Sequence, residues 1–239
     1  KDFGHVVEAS ILAFGHVRHR FISRKGPLFL EGFEEPLRCE NKGSGLQRVD
    51  HVTTNVEQGK MDVWVKYYED VFGLRNTRFF DIHTDKTGLY SKVMQSPDGV
   101  IKMPFNEPTD PKSQIQEFID VNHGPGIQHI ALLTNDIMTN LPKLKKGGVT
   151  FLETPAAYFE MLPSRVPNIT EDLKEIEALQ IQIDGDAKGY LLQIFTHPVV
   201  GPFFYEVIQR KNNDGFGEGN FRALFEAMER DQIRRGVLK

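Results

Sequence analysis

The sequence is poor in several features that would point elsewhere. A single cysteine, Cys39, among 239 residues rules out an intramolecular disulfide and favours a reducing, cytoplasmic setting. No apolar run approaches the roughly 18–20 residues that span a bilayer, and no charged-then-apolar leader opens the chain, so no membrane association is expected. Charge of one sign is not in excess either. Lys plus Arg is 29 against 33 for Asp plus Glu, a net −4 scattered along the chain, and no basic block suggests nucleic acid or an anionic surface. No Ser–His–Asp or Cys–His arrangement is evident, so nothing points to a side-chain nucleophile. The length suffices for one large domain or two small ones.

What is present is organised as a repeat. Residues 6–14 and 19–24 read as strands, followed by a connector over 25–46 rich in Gly, Pro and Glu. The first copy opens with the strand "RVDHVTTNV" and an amphipathic helix, "MDVWVKYYEDVFG", stopped by Gly73. Strand-like runs follow at 75–82, 88–95 and 99–105. The second copy opens with "GIQHIALLT" and the helix "DIMTNLPKLKKGG", with Asp136 as N-cap. Strands at 149–153, 189–196 and 203–210 complete it, and a helical pattern, "TEDLKEIEAL", lies within a long insertion at 155–186. This pattern predicts an α+β fold: tandem βαβββ modules, about 46–106 and 126–210, forming an open, curved, barrel-like mixed sheet with outer helices. A C-terminal helix over 219–235 carries the stripe Phe221, Leu224, Phe225 and Met228 behind Gly215, Gly217 and Gly219. That stripe fits either core packing or a lid closing over a pocket.

Two histidines occupy equivalent places in the copies, His51 in "VDHVTT" and His129 in "IQHIAL". Pseudo-symmetric first strands would bring them face to face as shared metal ligands. Glu206 in "FFYEVIQR" is flanked by apolar side chains whichever way its strand faces. A buried carboxylate is costly unless a cation relieves it. Two imidazoles and one carboxylate make the facial triad of non-haem Fe(II) oxygenases, although Zn(II) accepts the same set. Gln193 and Phe195 share a strand face and can line one cavity. Gln128 adjoins His129 and falls on the opposite face unless the strand is bulged there.

The stretches "RVDHVTTNV", "MPFNEP", "KSQIQEF", "GIQHIAL", "YLLQIFT", "FFYEVIQR" and "DGFGEGNFRALFEA" together resemble the 4-hydroxyphenylpyruvate dioxygenase family of the vicinal-oxygen-chelate superfamily. Residues 1–40 resemble only the tail of that family's N-terminal domain, so a remnant of it is expected there, with a catalytic domain over 41–239. The resemblance implies Fe(II) held by His51, His129 and Glu206. It implies Ser91, Asn106, Gln114, Gln128 and Gln193 in a hydrogen-bond network around the substrate. Pro104, Phe195, Phe204, Phe216, Asn220, Phe221 and Leu224 would line the aromatic pocket. Thr53 departs from the apolar residue that other members often carry. The implied reaction joins 4-hydroxyphenylpyruvate and O2 to give homogentisate and CO2 in tyrosine and phenylalanine catabolism, in a homo-oligomer, dimer or tetramer. Hydroxymandelate synthase chemistry on the same substrate, extradiol ring cleavage, and metal-free binding of an aromatic ligand are the competing readings.

Overall fold

A computed structural model of the chain describes residues 5–26, 43–83 and 87–223. Two compact units result, Lys1–Gly43 and Ser44–Lys239. In the first, β1 (His5–Leu12) and β2 (Arg18–Lys25) pair antiparallel, near the strands expected at 6–14 and 19–24. Gly15, with φ 53°, turns the chain between them.

The second unit contains β3 (Leu46–Asn55), α1 (Met61–Phe72), β4 (Arg75–His83), β5 (Gly88–Gln95) and β6 (Lys102–Pro108). After α2 (Gln114–Val121) come β7 (Gly126–Thr134), α3 (Ile137–Lys146), α4 (Ala156–Arg165) and α5 (Leu173–Leu179). The strands β8 (Gln182–Gly185), β9 (Tyr190–Phe195) and β10 (Phe204–Lys211) follow. The eight strands of this unit form one mixed sheet, ordered β4-β5-β6-β3-β7-β10-β9-β8, curled into a half-barrel. The order reads outward symmetrically from the antiparallel β3–β7 pair. Each first strand then lies parallel to the last strand of its own module, β3 beside β6 and β7 beside β10.

Local chemistry sets the helix ends. Gly73, at φ 66°, returns its N–H to the Glu69 carbonyl and closes α1, the left-handed conformation that glycine adopts without strain. The Asp136 carboxylate accepts from the Thr139 N–H at the start of α3, a cap contributing about 1 kcal/mol.

The expected strand at 149–153 does not form. Phe151 makes only an isolated bridge to Thr196, and β8 takes the outer place in the sheet instead. The insertion explains this. Its helices α4 and α5 supply Tyr158, Phe159, Leu162 and Ile176, which pack with Ile183, Leu192, Ile194 and Val207 into the outer core. Each such side chain contributes roughly 1.5–3 kcal/mol when fully buried. Strand alternation sends the intervening residues to the concave face, where Ala131, Leu191, Ile208 and Leu133 cluster. The C-terminal helix is described only over residues 218–223; the rest of the expected 219–235 span, with Leu224, lies outside the described residues. No helix among the described residues is long and apolar enough to cross a membrane.

A polar knot ties the insertion to the sheet. Glu171 accepts from the Tyr190 hydroxyl at 2.7 Å and pairs with Lys211 at 2.5 Å. Burial would raise the Glu171 carboxyl, but these partners outweigh it and hold it below its ordinary value. Its stabilisation is therefore complete above the unfolded-state value and fades as the pH drops through the folded one. Glu171→Gln should cost about 1 kcal/mol at neutral pH, a difference that disappears in acid. Urea titrations of both proteins between neutral pH and pH 3 check this; a pH-independent difference would contradict it.

Candidate metal centre

The register of three adjacent strands builds the site. His51 on β3, Ala131 on β7 and Glu206 on β10 lie in one row, which Phe195 on β9 extends. Two residues along β7, His129 is level with Thr53 and Phe204. The small Ala131 side chain thus leaves open the space between His51 and Glu206. Ligand atoms of His51, His129 and Glu206 all lie within 4.8 Å of one another. Glu206 Oε2 is 3.3 Å from His51 Nε2 and 3.2 Å from His129 Nε2. Two donors about 2.1 Å from one ion and at right angles sit about 3.0 Å apart, so this spacing suits adjacent positions on a common metal.

Each imidazole is oriented by the residue just before it. The His51 Nδ1–H donates to Asp50 Oδ1 at 2.8 Å, and the His129 Nδ1–H donates to Gln128 Oε1 at 3.0 Å. A residue adjacent in a strand normally points to the other face. Here the β3–β7 register shifts between Val49 and His51, and again between Thr53 and Thr54. These bulges bring Asp50 and Gln128 round to their histidines. With the proton on Nδ1, each Nε2 offers a lone pair toward the cluster. His129 Nε2 accordingly makes no hydrogen bond despite its nearness to Glu206, since both atoms are acceptors.

The electrostatics favour a cation. Glu206 is 1% exposed. Burial would push its carboxyl up, but His51 and then His129 hold it down at about 2. Burial likewise pushes His129 down, keeping it neutral and able to ligate. For His51 burial acts downward too, but the carboxylates of Glu206 and Asp50 outweigh it and raise the imidazole, so a proton and a metal ion compete for its Nε2. Buried polar atoms without hydrogen-bond partners among the described residues include His129 Nε2, Glu206 Oε1 and Gln193 Oε1. Each such atom ordinarily costs 1–3 kcal/mol or more, and a ligated cation with a bound polar molecule would satisfy them. The residues present therefore fit a divalent metal.

Of the residues expected from sequence, Gln128, Phe195, Phe204 and Phe216 lie directly against the two imidazoles. Phe204 stacks on the His129 ring at 5.0 Å, Phe195 meets it edge-on at 6.0 Å, and Phe216 meets His51 at 5.1 Å. Gln193 is buried, and Gly217, at φ 78°, passes so close that a Cβ there would come within 2.2 Å of its amide oxygen. In the first module Asn55, Asn106 and Ser91 share a row across β3, β6 and β5, all buried, with Asn106 donating to Asn55 at 3.2 Å. Pro104 is buried two residues along β6 from Asn106, paired with Val93. Asn220 is buried but turned toward α4, its oxygen accepting from the Tyr158 hydroxyl at 2.6 Å and from Arg165 at 3.2 Å. Phe221 packs against Leu89, Ile115, Phe118 and Ile119. Gln114 is exposed at the first turn of α2, apart from this buried set.

Sequence reasoning missed Asp50, Ala131 and Arg210. Arg210 clasps Asp50 through two hydrogen bonds, from Nε at 2.9 Å and from a terminal nitrogen at 2.7 Å. The available signals were slight: a carboxylate directly before one ligand, and an alanine two residues beyond the other.

Comparison with known proteins gives the arrangement a family. Residues 48–161 match the family described as the Glyoxalase/Bleomycin resistance protein/Dioxygenase superfamily. A 4-hydroxyphenylpyruvate dioxygenase from Legionella pneumophila (strain Corby) is 53% identical over 200 residues, which are 82% of this chain and 58% of that protein. One from Dictyostelium discoideum is 42% identical, with 99% of this chain matched to 70% of that protein. A triple mutant of 4-hydroxymandelate synthase from Streptomyces coelicolor superposes with a TM-score of 0.72 at 30% identity, covering 94% of this chain and 65% of that one. The chain thus spans little more than half the length of its Legionella relative. By this similarity, carried across nearly all of its residues, the chain belongs to the 4-hydroxyphenylpyruvate dioxygenase family.

Proposed function

We propose that this chain carries the centre of an Fe(II)-dependent dioxygenase that converts 4-hydroxyphenylpyruvate and O2 to homogentisate and CO2, a step of tyrosine and phenylalanine catabolism. The supporting observation is the buried His51–His129–Glu206 cluster, with its imidazole lone pairs and carboxylate turned to one point. Two nitrogens and one carboxylate on one face suit Fe(II) and leave room for a chelating 2-oxo acid and O2. When bound, iron supplies the reduction of O2 that accompanies loss of CO2 and oxidation of the aromatic ring. We also propose a cytoplasmic location and a homo-oligomeric assembly, dimer or tetramer.

The chain's own residues have the remaining tasks. Asp50 and Gln128 fix the two ligand rings. Phe195 and Phe204, flanking His129, hold the substrate ring flat beside the metal. The unpartnered Gln193 oxygen accepts a hydrogen bond from the bound substrate, and Ser91 and Asn106 supply polar contacts from the opposite half. Phe216 and the turn 218–223 close the chamber and exclude water, which would otherwise intercept reactive species.

The test is O2 uptake by the protein with added Fe(II) and 4-hydroxyphenylpyruvate, followed by identification of the product. Homogentisate with stoichiometric CO2 supports the reading. Hydroxymandelate would assign the chain to the synthase reaction, which the likeness to the Streptomyces structure makes the nearest alternative. Absence of iron uptake under anaerobic reconstitution would leave only a binding role.

Two further outcomes follow from the geometry. His51→Ala, His129→Ala and Glu206→Ala should each lower iron affinity more than about tenfold and abolish turnover while circular dichroism stays native. Near-normal turnover in one of them would remove that residue from the ligand set. Ala131→Leu should cost about 1–3 kcal/mol through overpacking and, by filling the gap between His51 and Glu206, weaken iron binding as severely as loss of a ligand. A calorimetric and metal-binding comparison checks both effects. Unchanged iron affinity would show that the metal does not occupy that gap.

A further inference from the structure

We propose that Arg210 is a positioning residue that couples the His51 side of the metal centre to the chain segment 213–223. The inference rests on the metal site proposed above.

One guanidinium joins three parts of the molecule. Its Nε and one terminal nitrogen grip both oxygens of Asp50, a fork geometry that a lysine cannot reproduce. Asp50 is 1% exposed in its side chain, and its Oδ1 also receives the His51 Nδ1–H. The other terminal nitrogen of Arg210 donates to the carbonyls of Asn213 and Gly215, at 3.1 and 2.6 Å. Gly215 immediately precedes Phe216, whose ring lies 5.5 Å from the guanidinium carbon and 5.1 Å from the His51 ring. The segment then continues through Gly217, pressed on Gln193, to Gly219 and Asn220, anchored on Asp184 and Tyr158.

Arg210 therefore stands at a junction. Without it, Asp50 becomes a buried carboxylate lacking its cation, free to turn from His51. The carbonyls at 213 and 215 lose their shared donor at the same time. The second ligand has a different arrangement, since Gln128, a neutral amide, orients His129. Coupling of this kind is reciprocal. Metal that fixes His51 tightens the segment, and loosening the segment weakens the metal.

The experiment measures Fe(II) affinity anaerobically by chelator competition, and hydrogen exchange of peptides covering 213–223 with and without Fe(II). In the parental protein Fe(II) slows exchange in that segment. Arg210→Gln and Asp50→Asn each weaken Fe(II) binding about 10–100-fold, the range for residues that orient metal ligands. In Arg210→Gln the metal no longer slows exchange there. The double variant binds Fe(II) no more weakly than Arg210→Gln alone, because both changes cut one path. Arg210→Lys, which keeps the charge without the fork, serves as the second variant if Arg210→Gln fails to fold, and also loses the exchange response. Affinity within about twofold of the parent, or a retained exchange response in the folded arginine variant, overturns the coupling alone. Absence of Fe(II) binding by the parental protein overturns the metal-site reading itself, and this inference with it.

Discussion

The buried carboxylate of Glu206 is the constraint around which the second unit is arranged. An ionised group at 1% exposure is tolerable only where nearby positive charge or donors replace the water it has lost. The imidazole nitrogens at 3.3 and 3.2 Å turn lone pairs toward it, so a cation shared with them would meet that need, and the three groups converge only because three strands run side by side in a fixed register. A slip of one residue in β10 would send Glu206 into the apolar outer core and bring Tyr205 or Val207 to the centre. The outer packing of Val207, Leu192 and Ile194 against α4 and α5 therefore holds the register on which the site depends. Stability and chemistry are here two faces of the same strands.

Duplication explains why the histidines meet, and its failure explains why the site is single. The antiparallel β3–β7 pair sets equivalent first strands against each other. The last strands complete each module in parallel, and there the symmetry breaks. β7 and β10 place Glu206 level with Ala131, two residues past His129. Continuing the β3–β6 register from Thr54–Phe105 and Asn55–Asn106 puts Pro104 level with Thr53, two residues past His51. Proline therefore stands where the second carboxylate would be. One half of the sheet supplies the anion, while the other presents proline, asparagine and serine, groups suited to shaping and contacting an organic molecule.

How much of this was legible in the sequence depended on periodicity. His51 and His129 were accessible because the first strands of the two copies align, and Glu206 because apolar side chains flank it on its strand. Phe195 followed from strand alternation with Gln193, and Phe204 from the family resemblance. Asp50 and the orientation of Gln128 were hidden because each sits at a bulge, where a residue adjacent to a ligand reaches the same side instead of the opposite one. The strand at 149–153 was misplaced for another reason. Its alternation resembles a strand's, yet the insertion that follows supplies β8, and the sheet has one outer place on that side. Arg210 reads as an ordinary strand-end cation until the fold brings Asp50, 160 residues away in sequence, beneath it.

The bulges also bear on how such a centre tolerates change. A residue that orients a ligand from an adjacent chain position needs no long-range packing to reach it, only a local irregularity of the strand. The carboxylate at 50 and the amide at 128 are thus interchangeable in geometry but unequal in charge. Asp50, beside Arg210, is held well below the usual carboxylate range despite its burial, so it remains an anion against His51. Gln128 offers His129 a dipole only. The imidazole that faces a carboxylate therefore lies on the side that Arg210 ties to the carbonyls of Asn213 and Gly215, and the imidazole that faces a neutral amide lies on the other.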